Sequence, residues 1–145
     1  MATMWTVVNN LNEEIVQAVM GLVPEGRPEH LFEPIEQWEG ERPSGKIRGF
    51  YVEWSDAERI TTGAAAMKYK TEITIVVGYP VYGWTAARVS DTDKIMRLFQ
   101  LDGGQSATTG VSYRLIDPEE PPNTEIDEEW TWVSYPLTTV IETTE

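Results

Sequence analysis

Cysteine is absent from the 145 residues. Its absence excludes disulfide staples, thiolate zinc sites, iron–sulfur clusters and thiol nucleophiles, and it is compatible with a reducing compartment. Histidine is nearly absent: His30 stands alone in a proline-rich stretch. No HxxH, HExxH or His-Asp-Ser spacing can be built around it, so it reads as an ordinary loop histidine and neither a ligand nor a base. Phosphate-binding glycine patterns are missing too. Gly103 and Gly104 follow a helical pattern instead of opening one, which suits a helix end and turn. No apolar run approaches the roughly 18 to 20 residues that cross a bilayer, and MATMWTVVNN lacks the basic start and long apolar stretch of a signal peptide. The chain is therefore expected to be soluble, unexported and without a membrane partner. These absences together predict no enzyme, no cofactor and no metal.

Positive charge is missing from both ends. All eleven Lys and Arg lie between Arg27 and Arg114, whereas residues 115 to 145 carry nine acids and no base, and the net charge is −13. That balance opposes approach to nucleic acid or anionic lipid. What is present suffices for one core: 41% of residues are hydrophobic, and the aromatic types are all represented. A single domain over residues 1 to 145 is expected.

Leu11, Ile15, Val19 and Leu22 recur at helical spacing, predicting a helix over Asn10 to Leu22 with Asn10 and Glu13 as a capping box and Pro24 preventing continuation. Pro24 to Gly45 holds four prolines and six glutamates and reads as a long loop, with Leu31, Phe32, Ile35 and Trp38 laid on the core. Alternation predicts a strand from Ile47 to Trp54, a linker from Ser55 to Ala66, and a second strand from Met67 to Tyr79. At about 3.3 Å per residue that second strand is too long for so small a domain, so its polar Lys68, Lys70, Glu72 end should project. A second helix is expected over Ser90 to Leu101, with Ser90 and Asp93 capping it. A short strand follows over Val111 to Asp117, then an acidic exposed loop over Asp117 to Glu129. A last strand runs from Trp130 to Thr143, where Pro136 marks an edge, bulge or corner. The resulting class is α+β: a mostly antiparallel four-stranded sheet flanked by two helices in the order αββαββ.

No carboxylate pair stands out as catalytic. Asp127, Glu128 and Glu129 lack the alternation of an EF-hand loop. Trp130 and Trp132 share one strand face and read as core, while Tyr82 and Trp84, in a loop, could be core or the anchors of a protein contact.

The stretches YKTEITIVVGYP and SDTDKIMRLFQL, the strand ending in Tyr113, Arg114 and Leu115, the acidic loop and WTWVSYPLTTVIETT together resemble the tail terminator proteins of long-tailed bacteriophages. The resemblance covers the last two-thirds of the chain and the placement of the first helix. It implies a virion protein of the neck, assembled in the host cytoplasm as a hexameric ring. Such a ring sits on the last ring of the tail tube protein, stops its growth and presents a surface to the head-completion or connector protein. DNA would pass through the ring without specific binding, as suits an acidic channel. The expected contacts with neighbouring copies or partners are Thr61, Thr62, Lys68 and Lys70 at the linker and projecting strand, Tyr82 and Trp84 in the aromatic loop, and Glu119, Glu120, Asp127 and Glu128 in the acidic segment. Other readings are a different neck or tail-completion protein, an acidic DNA-mimic inhibitor, or a carbohydrate- or peptide-binding module using Tyr82, Trp84 and Trp132.

Overall fold

The computed structural model describes residues 3–35, 48–62, 67–100, 113–116 and 120–143. Their elements run α1 (Met4–Met20), β1 (Glu33–Pro34), β2 (Gly49–Trp54), β3 (Glu58–Thr62), β4 (Met67–Pro80), α2 (Thr85–Gln100), β5 (Tyr113–Leu115), β6 (Asn123–Ile126) and β7 (Trp130–Thr143). The seven strands form one mixed sheet. This corrects the four-stranded αββαββ arrangement, and the three unforeseen strands share one cause. β1 is two residues inside the proline-rich segment, β3 lies in the expected linker, and β6 lies in the expected acidic loop. All described side chains of these strands are exposed. Period-two alternation reports burial of one face, so an edge strand held only by its backbone ladder leaves no such mark.

The long antiparallel pair β4 and β7 is the axis of the sheet, in register from Met67 opposite Thr143 to Pro80 opposite Trp130. β2 and β3 line the far side of β4 one after the other, against Ile73 to Gly78 and Met67 to Lys70. Ser55 joins them: its N–H donates to the Glu72 carbonyl at 2.9 Å, and its Oγ accepts from the Glu72 N–H at 2.9 Å. β5 and β6 line β7 in the same tandem fashion. Pro136 sits in the gap between them. Its carbonyl accepts from Ile116 N–H at 3.0 Å; because N–H and C=O of one residue point to the same side of an antiparallel strand, its missing donor faces the point where β5 ends, not β4.

Both helices cover one face of this sheet. In α1 the stripe Val7, Leu11, Ile15 and Val19 is buried, each residue contributing about 1.5 to 3 kcal/mol. The stripe extends one repeat before the expected start, so the N-cap is Thr3, whose side chain accepts from Thr6 N–H, and not Asn10. Trp54 Nε1 donates to Asn12 Oδ1 at 2.8 Å, fixing α1 over β2. α2 also begins earlier than expected. Asp93 pairs with Arg97 and Asp91 is buried, so Ser90 is not its cap. Phe99 meets Tyr113 of β5, and Thr92 Oγ1 lies 2.9 Å from the Tyr135 hydroxyl of β7. Between helices and sheet lie Phe50, Ile73, Ile75, Val77, Tyr79, Val133, Tyr135 and Leu137, all buried. Of the loop residues expected on the core, Phe32 is buried and Leu31 is exposed; Trp38 lies outside the described residues, as do Gly103 and Gly104. Among the described residues no helix is long and apolar enough to cross a membrane.

The far ends of β4 and β7, with β3, form an arm. Buried positions dominate β4 from Thr71 onward, but Met67 to Lys70 alternate between half-buried and exposed. The expected projecting end is thus a three-stranded arm and not a lone strand.

Candidate functional site

Residues directly opposite in an antiparallel ladder share a face. On the face away from the helices this places Tyr51 and Glu53 of β2, Val76 and Gly78 of β4, Trp132 and Ser134 of β7, and Glu125 of β6 side by side. No helix or strand among the described residues lies over them. Trp132 lies flat on Gly78: a Cβ built there would stand 2.7 Å from its Cζ3. Only glycine admits the indole so close to the backbone. Tyr51 and Trp130 flank the same ring, at centroid distances of 6.3 and 6.2 Å. The result is a concavity of about 520 Å³ lined by Tyr51, Val76 and Trp132 and rimmed by Glu53, Glu125 and Asp127.

The rim is ordered by the turn into β7. Asp127 Oδ1 accepts from the N–H groups of Glu129 and Trp130 at 2.9 and 2.8 Å, and Oδ2 accepts from Trp132 Nε1 at 3.3 Å. One carboxylate therefore shapes the turn and positions the floor. Burial raises the Tyr51 phenol above its usual range, and the charges of Glu53 and Glu125 raise it further. An aromatic floor with a carboxylate rim suits a cationic side chain: the π face attracts it, and the oxygens accept from it.

A second polar cluster lies under the helices. Arg48 and Asp91 are both fully buried, with Nε 2.6 Å from Oδ2. Tyr79 donates to the same oxygen at 3.0 Å, and Oδ1 has no partner among the described residues. The Arg48 guanidinium also donates to the carbonyls of Arg27, His30 and Gly26 and faces the rings of Trp84 and Phe32. Burial lifts the Asp91 carboxyl above its usual range, and the Arg48 contact offsets only part of that. This is a latch: it ties the loop before β1 to α2 and to β4, and all but one of its polar atoms are engaged within the chain.

The expected contact residues separate into two ends. Thr61 and Thr62 belong to β3, opposite Lys68 and Met67; they are strand and not linker. Lys68 and Lys70 are exposed on the arm. At the other end Val81 N–H donates to the Glu129 carbonyl at 3.1 Å, which brings the aromatic loop beside the acidic segment. Tyr82 is 87% exposed there, whereas Trp84 is 5% exposed and stacked with Arg27 and Arg48. Glu120, Asp127 and Glu128 are exposed; Glu119 lies outside the described residues. Trp132 is on the helix-free face and not in the core between helices and sheet. Sequence reasoning missed Tyr51, Glu53, Val76, Gly78, Ser134 and Glu125, and a glycine facing a tryptophan across two strands was the available signal. Among the described residues no three His, Asp or Glu side chains converge as a metal site.

No protein-family model matches the chain, and a search of curated proteins found no match.

Proposed function

We propose that this chain is a structural ring subunit, the tail terminator of a long-tailed bacteriophage. In this reading copies close into a hexamer on the last ring of tail tube protein, stop its growth and offer a surface to the head-completion or connector protein. The observation that carries the reading is the polarity of the sheet. Its two long central strands extend with β3 into an arm at one end, where Met67 to Lys70 are half-buried or exposed, and the other end carries the acidic turn, the exposed Tyr82 and the aromatic concavity. A subunit with different contact surfaces at its two ends makes heterologous contacts, which close into a ring when the rotation per subunit allows it. The charge supports the same reading, since a channel that neutralised phosphates would hold DNA back, and each copy brings −13.

The test has two parts. Light scattering and electron microscopy of the purified chain should show closed rings. Tails assembled from tube protein in its absence should be of irregular length and fail to join heads, and adding the chain should restore both. Tails of normal length that join heads without it would overturn the assignment.

A further inference from the structure

We infer that the acid-rimmed concavity is the socket for the arm of a second copy of this chain, with Lys68 and Lys70 docking against Tyr51 and Trp132 between Glu53, Glu125 and Asp127. The inference rests on the ring reading and identifies its subunit contact. Donor and acceptor lie on the same face of the sheet, because Lys70 and Val76 are separated by an even number of residues along β4. They are also far apart: eight residues separate Lys68 from Val76, or roughly 26 Å at 3.3 Å per residue. One copy cannot bring its own arm to its own socket along a continuous strand, but the next copy can.

Charge complementarity selects the occupant. Of the other described cations, Arg48 is buried on Asp91, Arg27 stacks on Trp84, Lys94 pairs with Glu25 and Arg97 with Asp93; Arg59 stands opposite Tyr69 on the other face of the arm, Arg88 is on α2, and Arg114, opposite Thr138 on β5, offers a single cation where the arm offers two. Lys68 and Lys70 are the exposed cations of β4, and their long apolar stems suit an aromatic floor as their ammonium groups suit the rim. Copies that each carry −13 repel one another overall, and the arm face also carries Glu58, Glu72 and Glu142, so the attraction is confined to the two ammonium groups meeting the rim carboxylates. The half-exposed Val140, opposite Lys70 on the same arm face, adds apolar surface that docking would cover.

A charge-swap series tests this on the full chain. Lys68→Glu with Lys70→Glu should weaken ring assembly about 100-fold or more in concentration, and Glu53→Lys with Glu125→Lys should do the same. All four changes in one chain should restore assembly to within about ten-fold of wild type, because like-charge juxtaposition is relieved only when both sides reverse. Each arm glutamate would face Glu142 or Glu58 across the ladder, so the neutral pair Lys68→Gln with Lys70→Gln is the second variant, expected to weaken assembly with an unchanged melting profile. Rings that form normally in the two double variants, or a fourfold variant no better than either, would overturn the socket while leaving the ring intact. A wild-type chain that stays monomeric at every concentration would overturn the ring itself, and the socket with it.

Discussion

Replacing Asp91 with alanine should be among the costliest single changes in this chain. Asp91 and Arg48 are both 0% exposed, so the substitution leaves a guanidinium out of water facing, among the described residues, the carbonyls of Gly26, Arg27 and His30 and the rings of Phe32 and Trp84. Stranding one partner of a buried ion pair costs about 3 to 5 kcal/mol. The three carbonyls hold part of the charge, which favours the lower bound, about 3 kcal/mol. For a chain of this length that corresponds to a fall in melting temperature of roughly 6 to 12 °C. Urea denaturation followed by circular dichroism would read the change as a lower midpoint at unchanged slope. Replacing both partners, Arg48→Met with Asp91→Leu, removes the charges together and should cost less than Asp91→Ala alone. A loss below about 0.5 kcal/mol for Asp91→Ala would refute the reasoning, since it would mean that water reaches Arg48.

Three further outcomes follow from the same geometry. Because burial raises the Asp91 carboxyl, the folded chain binds that proton more tightly than the unfolded one. The proton-linked part of its stabilisation is therefore complete below the unfolded value, about pH 3.9, and is lost as pH rises through the raised folded value, which leaves the ion pair with Arg48. The unfolding free energy of wild type minus that of Asp91→Asn should accordingly fall with pH across that window, and a rising difference would show the Arg48 contact outweighing burial. Gly78→Ala pushes a methyl into Trp132 and should cost about 1 to 3 kcal/mol, most of it recovered in a Trp132→Ala background; equal costs in both backgrounds would contradict the stacking. Asp127→Ala removes the acceptor for two N–H groups of the turn and should cost about 1 to 2 kcal/mol by urea denaturation, whereas Asp127→Asn keeps an acceptor oxygen and should cost clearly less.

The two helices and the two long strands were legible because each buries one face. Val7, Leu11, Ile15 and Val19 repeat every four residues, and β4 and β7 alternate over most of their lengths. The helix starts were misplaced for a physical reason. Asn10 and Ser90 are good caps by residue type, but the apolar stripe of α1 continues to Val7, and Asp91, which would follow a cap at Ser90, is committed to Arg48. Packing overrode local preference at both. β1, β3 and β6 were invisible because their described side chains are exposed; what makes them strands is the hydrogen-bonding edge of β2, β4 or β7. Sequence alone does not show which edge will be available.

The site was harder to read than the fold, and Trp132 shows why. Alternation along β7 divides the strand into Thr131, Val133, Tyr135, Leu137, Thr139 and Ile141 on one face and Trp130, Trp132, Ser134, Pro136, Thr138, Val140 and Glu142 on the other, without saying which face the helices take. Two tryptophans argue for the second set as core, but a face that also carries proline and glutamate cannot pack against helices along its length. Val133 and Leu137 of the first set are buried in the core under them. Once that choice is made, the register of β4 against β7 puts Gly78 opposite Trp132, and the register of β2 against β4 puts Tyr51 opposite Val76. The aromatic floor and its acidic rim follow from pairing, not from any local motif. The two lysines on the same face were visible from the start as a polar strand end, and their separation from the rim along β4 is the distance that a neighbouring subunit has to span.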